Sequence, residues 1–505
     1  MTTTTREIEV HCPADGRLVG TVPNQDADEA RAAAEALRAA QPAWEALGPE
    51  GRAVHLRNWR DWLLDNERQL AELVQAETGK AWTDAALEPS LAPDIINFLC
   101  KHAPEYLATR QVRPHGPAGA TKRLKVTYRP YPLIGMIMPW NGPLAMPMLD
   151  AIGALLAGCT VLTKPSEFTP LAWRAAAAGW AEAGAPPVLG YVSGDGTTGA
   201  AVVDLVDMVM FTGSARTGKR IAARCGERLI PCSLELGGKD AMIVLSDADV
   251  DRAAAAAAWG SMLNAGQACI SVERVYVEAS VYDEFVSKVV PRVAALRVGM
   301  DAPGEFRTEV GAIATPAQME IIAAHVDDAV AKGARALTGG KREGQFFQPT
   351  VLLDVDHSMD CMRLETFGPT MPVMKVADED EAIRLANDSP YGLSASVFSR
   401  DLARAERVAG RLEAGSVNIN NVLTNLFQLG LPMGGWKESG LGARLGGANA
   451  VLKFCRTQSL VSERVNLPAE PYWYPLSPRK ARIQARAMRL LGARDWRRAL
   501  GIKKS

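Results

Sequence analysis

Apolar residues recur at helical spacing through the first eighty positions. An Ala-rich amphipathic stretch begins near Asp28, and from about Arg52 the residues Leu56, Trp59, Leu63, Leu70 and Leu73 fall on one side of a second helix. Gly79 stands where a C-cap would end it. Beyond a Pro/Gly-interrupted segment (113–119) the period changes, and residues 124–129 alternate as a strand does. Short apolar runs at 134–138, 160–163, 191–193, 208–211 and 241–245 then alternate with Ala-rich helical patterns. Strand–helix alternation of this kind predicts an α/β fold with a mostly parallel, doubly wound sheet. A second series follows residue 270, with 274–278 and Ser416–Ile419 as strands.

The uncharged run 133–149 is interrupted by Pro139, Pro143 and Pro147 and closed by Asp150. Prolines at that density break a spanning helix, so buried strands and turns explain the run better, and no transmembrane segment is predicted. The N-terminus lacks the basic-then-apolar pattern of a signal peptide. At 505 residues the chain exceeds one ordinary core, so two or three domains are expected. Its eight cysteines are scattered, with no C-x-x-C pair and no histidine cluster beside them. That argues against a disulfide scaffold or zinc site and suits a reducing cytoplasm. The net charge of −1 gives no reason to expect nucleic acid as a partner. It conceals an asymmetry: residues 479–505 carry ten basic side chains against one acid, Asp495, leaving −10 for the rest of the chain.

Two places carry candidate chemistry. Phe211-Thr-Gly-Ser-Ala-Arg-Thr-Gly218 follows an apolar run and opens a helical pattern. Gly213 and Gly218 match the outer glycines of a dinucleotide-binding turn, but Ala215 takes the middle place, so a plain strand-to-helix turn fits as well. Lys164-Pro-Ser-Glu167 follows the 160–163 run, where a carboxylate is placed to accept from ribose hydroxyls; a surface turn has the same pattern. The second place is Gly266-Gln-Ala-Cys269. A cysteine is often only a small buried hydrophobe. Small neighbours that admit a substrate, and Glu235-Leu-Gly-Gly-Lys239 thirty-four residues upstream, point instead to a nucleophile and a base.

Pro139-Trp-Asn141, Lys164-Pro-Ser-Glu167, Phe211-Thr-Gly-Ser214, Glu235-Leu-Gly-Gly-Lys239, Gly266-Gln-Ala-Cys269, Glu365-Thr-Phe-Gly-Pro369 and Pro432-Met-Gly-Gly-Trp-Lys-Glu-Ser-Gly440 occur in that order. Together they resemble the aldehyde dehydrogenase superfamily over roughly residues 10 to 465. The resemblance implies Cys269 as nucleophile, with the Asn141 amide and the Cys269 N–H holding the oxyanion. Glu235 would activate the water that hydrolyses the acyl-enzyme. Trp140, Lys164, Glu167, Gly213, Ser214, Glu365 and Phe367 would contact the cofactor: Lys164 and Glu167 the adenosine ribose, Gly213 and Ser214 the pyrophosphate, Glu365 the nicotinamide ribose, Phe367 the ring. Glu167 would repel a 2′-phosphate, so NAD is expected, with NADP open because Lys164 is adjacent. No metal is expected.

The implied fold has a Rossmann-type cofactor domain (1–111 and 131–236), an α/β catalytic domain (237–440), and a small β oligomerisation element (112–130 and 441–465). Homodimers or homotetramers are expected. Residues 439–446 depart from the common form, which often has Arg-Glu where this chain has Ala443-Arg444. With Leu452-Lys-Phe-Cys-Arg456 the stretch is similar to the succinate-semialdehyde dehydrogenase-like subgroup. No motif marks a pocket cation for a substrate carboxylate, and Ala268 and Ile270 beside the nucleophile suit an alkyl or aryl aldehyde. Two rivals stand: a coenzyme A-acylating relative, against which Glu235 argues, and a catalytically inactive binding protein of the same fold. After a proline-broken, aromatic linker, residues 479–505 read as a basic helix with Arg482, Arg486 and Arg489 on one face and Ile483, Ala487, Leu490 and Leu491 on another, and with Trp496 and Leu500 beyond Gly492. It could lie on an anionic membrane or pack against the acidic body or a neighbouring subunit.

Overall fold

The structure is a computed structural model that describes residues 7–115, 119, 121–466, 468–470 and 472–502. The N-terminal residues 1–6, most of 116–120, and Lys503 and Lys504 of the basic tail lie outside the described residues. The chain divides into two compact units, one of residues up to Tyr106 and Pro130–Cys455, the other of Leu107–Arg129 and the chain from Arg456 onward.

The larger unit is built on two sheets. In the first, the strands run side by side in the order Gly440–Leu441, Cys232–Glu235, Met208–Thr212, Leu133–Ile137, Thr160–Lys164, Leu189–Tyr191. All neighbours are parallel except Gly440–Leu441, which is antiparallel to Cys232–Glu235. From Leu133–Ile137 the chain winds out to one edge, then returns to lay Met208–Thr212 on that strand's other side. The order reverses between these two strands, and at such a switch point the crevice beyond the strands' carboxyl ends receives ligands. Ala30, Ala34 and Leu37 of the helix Ala27–Ala46 and Val202 and Val203 of Gly196–Leu205 close the sheet's core with Leu162, Val209 and Phe211. The second sheet runs Arg335–Ala336, Thr350–Leu353, Thr370–Val376, Val272–Glu278, Asp240–Val244, Ser394–Phe398, Ser416–Ile419, parallel save at its first strand.

The structure corrects two expectations and adds a helix. The helix anticipated from Arg52 to Gly79 is two, Gly48–Asp65 and Glu67–Thr78. Asn66 separates them, its side-chain amide donating to Trp62 O at 2.8 Å and so competing with the helical ladder. Gly79 does end the second at φ 70°. The run 133–149 holds one strand and then a helix, Ala145–Ala157, with Pro147 in its first turn, where a missing N–H costs nothing. A helix at Trp82–Leu107 was not anticipated, because Pro89, Pro93 and Pro104 lie within it.

In the smaller unit Arg110–Val112, Lys122–Pro130 and Cys455–Glu463 form a three-stranded sheet. Lys122 Nζ holds Glu463 at 2.6 Å and also pairs with Glu470, tying the start of the tail to that sheet. The tail continues as helices Pro478–Gly492 and Trp496–Leu500, neither with a buried residue. Among the described residues no helix is long and apolar enough to cross a membrane.

Candidate active site

The crevice at the switch point is a cavity of about 250 Å³. Trp140 and Asn141 reach it from the loop after Leu133–Ile137, Gly213 and Ser214 from the turn after Met208–Thr212, and Glu235 from the end of the next strand. Cys269, Glu365 and Phe367 come from loops of the second sheet. Eight of the ten residues singled out in sequence thus share one wall. Lys164 and Glu167 do not. Lys164 is the last residue of the strand Thr160–Lys164, Glu167 follows three positions on, and the two pair at 2.9 Å. Gln318 and Ile321 also line the cavity, from the helix Pro316–Ala331, with no motif to announce them.

The loop that carries Cys269 is shaped by close approach. Asn264 and Ala265 adopt left-handed backbone at φ 54°, which non-glycine residues rarely do, and Gly266 follows at φ 71°. A Cβ on Gly266 would lie 2.0 Å from Gly368 O, so only glycine lets this loop seat against the 365–369 loop. A Cβ on Gly238 would likewise meet Cys269 O at 2.6 Å. Three separate motifs are therefore in backbone contact around one cysteine. Gln267 locks the arrangement: its side chain donates to Asn264 O and Ala312 O and accepts from Ala314 N. The 365–369 loop is held from below by the buried Lys239–Glu273 ion pair, with Glu273 accepting from Thr366 N at 2.9 Å and Phe367 N at 2.8 Å. Phe367, at φ 52°, meets Trp140 edge-on with ring centroids 5.6 Å apart.

Asn141 Nδ2 donates to Gln267 O at 2.9 Å. An amide nitrogen has two hydrogens, so this bond orients the group and leaves one for a ligand. Glu235 is only 3% exposed, and its Oε1 is buried without a hydrogen-bond partner. Burial pushes its carboxyl up to about 7, against the pull of Arg444 and Lys453. Glu365 accepts from Gly238 N at 2.9 Å, yet burial carries it up to about 8. Burial also pushes the Cys269 thiol up to about 12, opposed by Arg444. An acid titrating near neutrality beside a thiol can serve as a general base.

Cys269, Asn141 and Met146 also border a second cavity of about 100 Å³, lined by apolar side chains including Leu87, Leu91, Leu149, Ile270 and Leu426. It adjoins a hollow of about 500 Å³ that shares Asp84, Leu87 and Leu263 and adds Trp259 and Leu296. The wall of the second cavity also carries two cations that no motif marked, Lys80 and Arg444. Lys80 is paired with Glu88, and Arg444 lies 3.5 Å from Asp150. Among the described residues no group of histidine, cysteine and acidic side chains could hold a metal ion.

Residues 1–460 match the model of the aldehyde dehydrogenase family. A Methylomonas protein named 4,4′-diapolycopene aldehyde oxidase is 41% identical over 92% of this chain and 87% of its own. A Mycolicibacterium smegmatis protein, named provisionally as a succinate-semialdehyde dehydrogenase (NADP+), is 39% identical over 89% of this chain and 87% of its own. Among solved structures, the Mycobacterium tuberculosis aldehyde dehydrogenase complexed with NAD+ superposes with a TM-score of 0.86 at 33% identity, covering 93% of this chain and 96% of that one.

Proposed function

The chain belongs to the aldehyde dehydrogenase family, and on that premise we propose that it oxidises an apolar aldehyde to its carboxylic acid with NAD, through a thioester on Cys269. The observation that carries the reading is the meeting of Cys269, Asn141 and a partnerless, near-neutral Glu235 on one cavity. The same cavity fits a nicotinamide cofactor. Gly213 and Ser214 stand at the N-terminus of the helix Ala215–Arg228, whose first-turn dipole suits a pyrophosphate. Trp140 and Phe367 form an aromatic wall and Glu365 offers a carboxylate to a ribose, while Lys164, at the end of the adjacent strand, and Glu167 just beyond it would meet the second ribose. Glu167 favours NAD over NADP by charge. In this reading residues 1–111 and 131–236 hold the cofactor, 237–440 carry the chemistry, and 112–130 with 441–465 join subunits.

Cys269 attacks the aldehyde carbon as a thiolate. The resulting oxyanion is received by the remaining Asn141 amide hydrogen and the Cys269 N–H, donors worth about 10²–10³ in turnover each in comparable sites. When bound, the nicotinamide supplies a hydride acceptor, and loss of hydride turns the thiohemiacetal into a thioester. Glu235 then takes a proton from water, the hydroxide adds to the thioester carbon, and the Cys269 thiolate leaves. Because Glu235 is present and titrates near neutrality, hydrolysis is favoured over transfer to a thiol such as coenzyme A.

The substrate side supports a long hydrocarbon group. Its lining is mainly apolar, it shares Asp84, Leu87 and Leu263 with the larger hollow, and Lys80 is already paired with Glu88. The name of the 41% identical relative points the same way. A substrate carboxylate, as in succinate semialdehyde, would have to displace Glu88 from Lys80 or compete with Asp150 for the loosely paired Arg444. The test is a panel of n-alkyl, aromatic and carboxylated aldehydes, scored by cofactor reduction and by product identity. Longer alkyl aldehydes should exceed succinate semialdehyde at least about tenfold in kcat/KM, free acid should be the product, and Cys269→Ala should abolish it. Preference for the carboxylated aldehyde would overturn the substrate class; no turnover with any aldehyde, or full turnover by the alanine variant, would overturn the mechanism.

The exposed tail favours one further contact. Ile483, Leu490, Leu491 and Trp496 are all more than half exposed beside a row of arginines, the composition of a helix that lies on anionic headgroups. Packing against a neighbouring subunit is the alternative.

A further inference from the structure

Arg444 stands out twice. It is where the 439–446 stretch departs from the common family form, and it is a buried cation on the same cavity wall as Cys269. Its pairing is loose. Arg444 Nε and Asp150 Oδ2 are 3.5 Å apart, both buried, and neither has a hydrogen-bond partner. Nη2 donates to a soft acceptor, Met146 Sδ, at 3.4 Å. Asp150 is served more closely by a second cation, Lys453, whose Nζ lies 2.7 Å from Oδ1 and also donates to Arg444 O at 2.6 Å. One carboxylate thus answers two cations, and the guanidinium's charge is left partly uncompensated in a place that water does not screen.

The other charged groups that bear on Cys269 are carboxylates: Glu235, Asp240 and Glu365 all oppose a thiolate, and Arg444 outweighs each. Burial raises all three toward their neutral forms. On the second cavity Lys80 and Glu88 neutralise each other, and Asp84 is likewise raised by burial. Among these groups Arg444 is the cation, and it shares a cavity wall with Cys269.

We propose that Arg444 is a positioning residue of the reaction: its loosely paired buried charge favours the thiolate of Cys269, and Asp150 sets how much of that charge the sulfur feels. The proposal rests on the reading of Cys269 as nucleophile. A thiolate is the reactive form of a cysteine, so alkylation reports it without cofactor or turnover.

The experiment uses the full chain without cofactor. Iodoacetamide, which forms a thioether at the sulfur and releases iodide, is applied from about pH 6 to about pH 9, and modification of the Cys269 peptide is followed by mass spectrometry. Arg444→Met should slow alkylation about tenfold at every pH on the rising limb, the equivalent of about one unit in the thiol's titration. Arg444→Lys should retain most of the wild-type rate. Asp150→Asn should accelerate it, since the counter-charge is gone while both cations remain. Opposite movement by the Arg444→Met and Asp150→Asn variants is the signature, because loss of packing would move both alike. A wild-type rate in Arg444→Met, or slowing by Asp150→Asn, overturns the proposal. If Arg444→Met does not fold, Arg444→Gln takes its place with the same expected slowing, and slowing by Asp150→Asn still overturns the proposal. Turnover by Cys269→Ala would sink the nucleophile reading separately, with the alkylation shifts still telling whether Arg444 acts on the sulfur.

Discussion

Replacing Glu235 by glutamine should make the protein more stable and nearly inactive, with both effects governed by pH. The carboxyl is pushed from its ordinary 4.5 to about 7 by burial. Between those values the folded chain holds a proton that the unfolded chain has released, so stability falls as pH rises through the window, and the loss is complete above about 7. A shift of this size corresponds to roughly 3 kcal/mol. Glutamine cannot ionise and escapes the loss. Its amide brings donors into a buried place, which costs something of its own, but that cost does not depend on pH. The variant should therefore gain about 2–3 kcal/mol on wild type between pH 5 and pH 8, or about 2–3 °C in Tm for a chain of this length. Activity should move the other way. Wild-type kcat should rise about tenfold per unit below pH 7 and then level, as a base of that pKa requires. The variant should lose the rise, fall by about 10²–10⁴ on the plateau, and release about one reduced cofactor per site in a burst before slow turnover. Thermal shift at the two pH values and rapid-mixing absorbance provide the data. Parallel Tm curves for the two proteins would refute the buried acid, and slow cofactor reduction without a burst would place Glu235 before the thioester or outside the mechanism.

Two further outcomes follow from the periphery. Glu167→Ser should shift kcat/KM toward NADP by removing charge beside the 2′ position and freeing Lys164, to which it is now paired; an unchanged ratio means that Glu167 does not meet the ribose. The full chain should co-sediment with anionic vesicles at low salt and detach as salt rises, and a version ending at Pro478 should not bind. Equal, negligible binding by both removes the membrane contact, and a change in oligomer size on truncation would favour packing between subunits.

The strands were legible because short buried strands are written in consecutive residues. The runs at 134–138, 160–163 and 208–211 coincide with strands to within a residue or so at each end. Helices were legible where no local side chain competed: Asn66 interrupts a continuous apolar stripe, and three prolines hide Trp82–Leu107 altogether. At the site, residues within motifs could be singled out, since each motif keeps its chemistry in a few neighbouring positions. The partners that set their charge could not. Arg444 meets Asp150 across 294 positions, and Lys80 meets Glu88 on a helix that was not read. The left-handed backbone at Asn264 and Ala265 had no signal either, because neither residue type demands it.

The two cavities share Cys269, Asn141 and Met146 and otherwise have separate walls. One wall is made of motif residues at the sheet's switch point. The other draws on Leu87 and Leu91 of a proline-bearing helix and, farther out, on Trp259 and Leu296. Appetite for a new aldehyde can therefore change by resizing side chains that neither bind cofactor nor move protons. Such a layout lets one chemical engine be refitted for different fuels, and it tells a protein engineer which half of the molecule to leave alone.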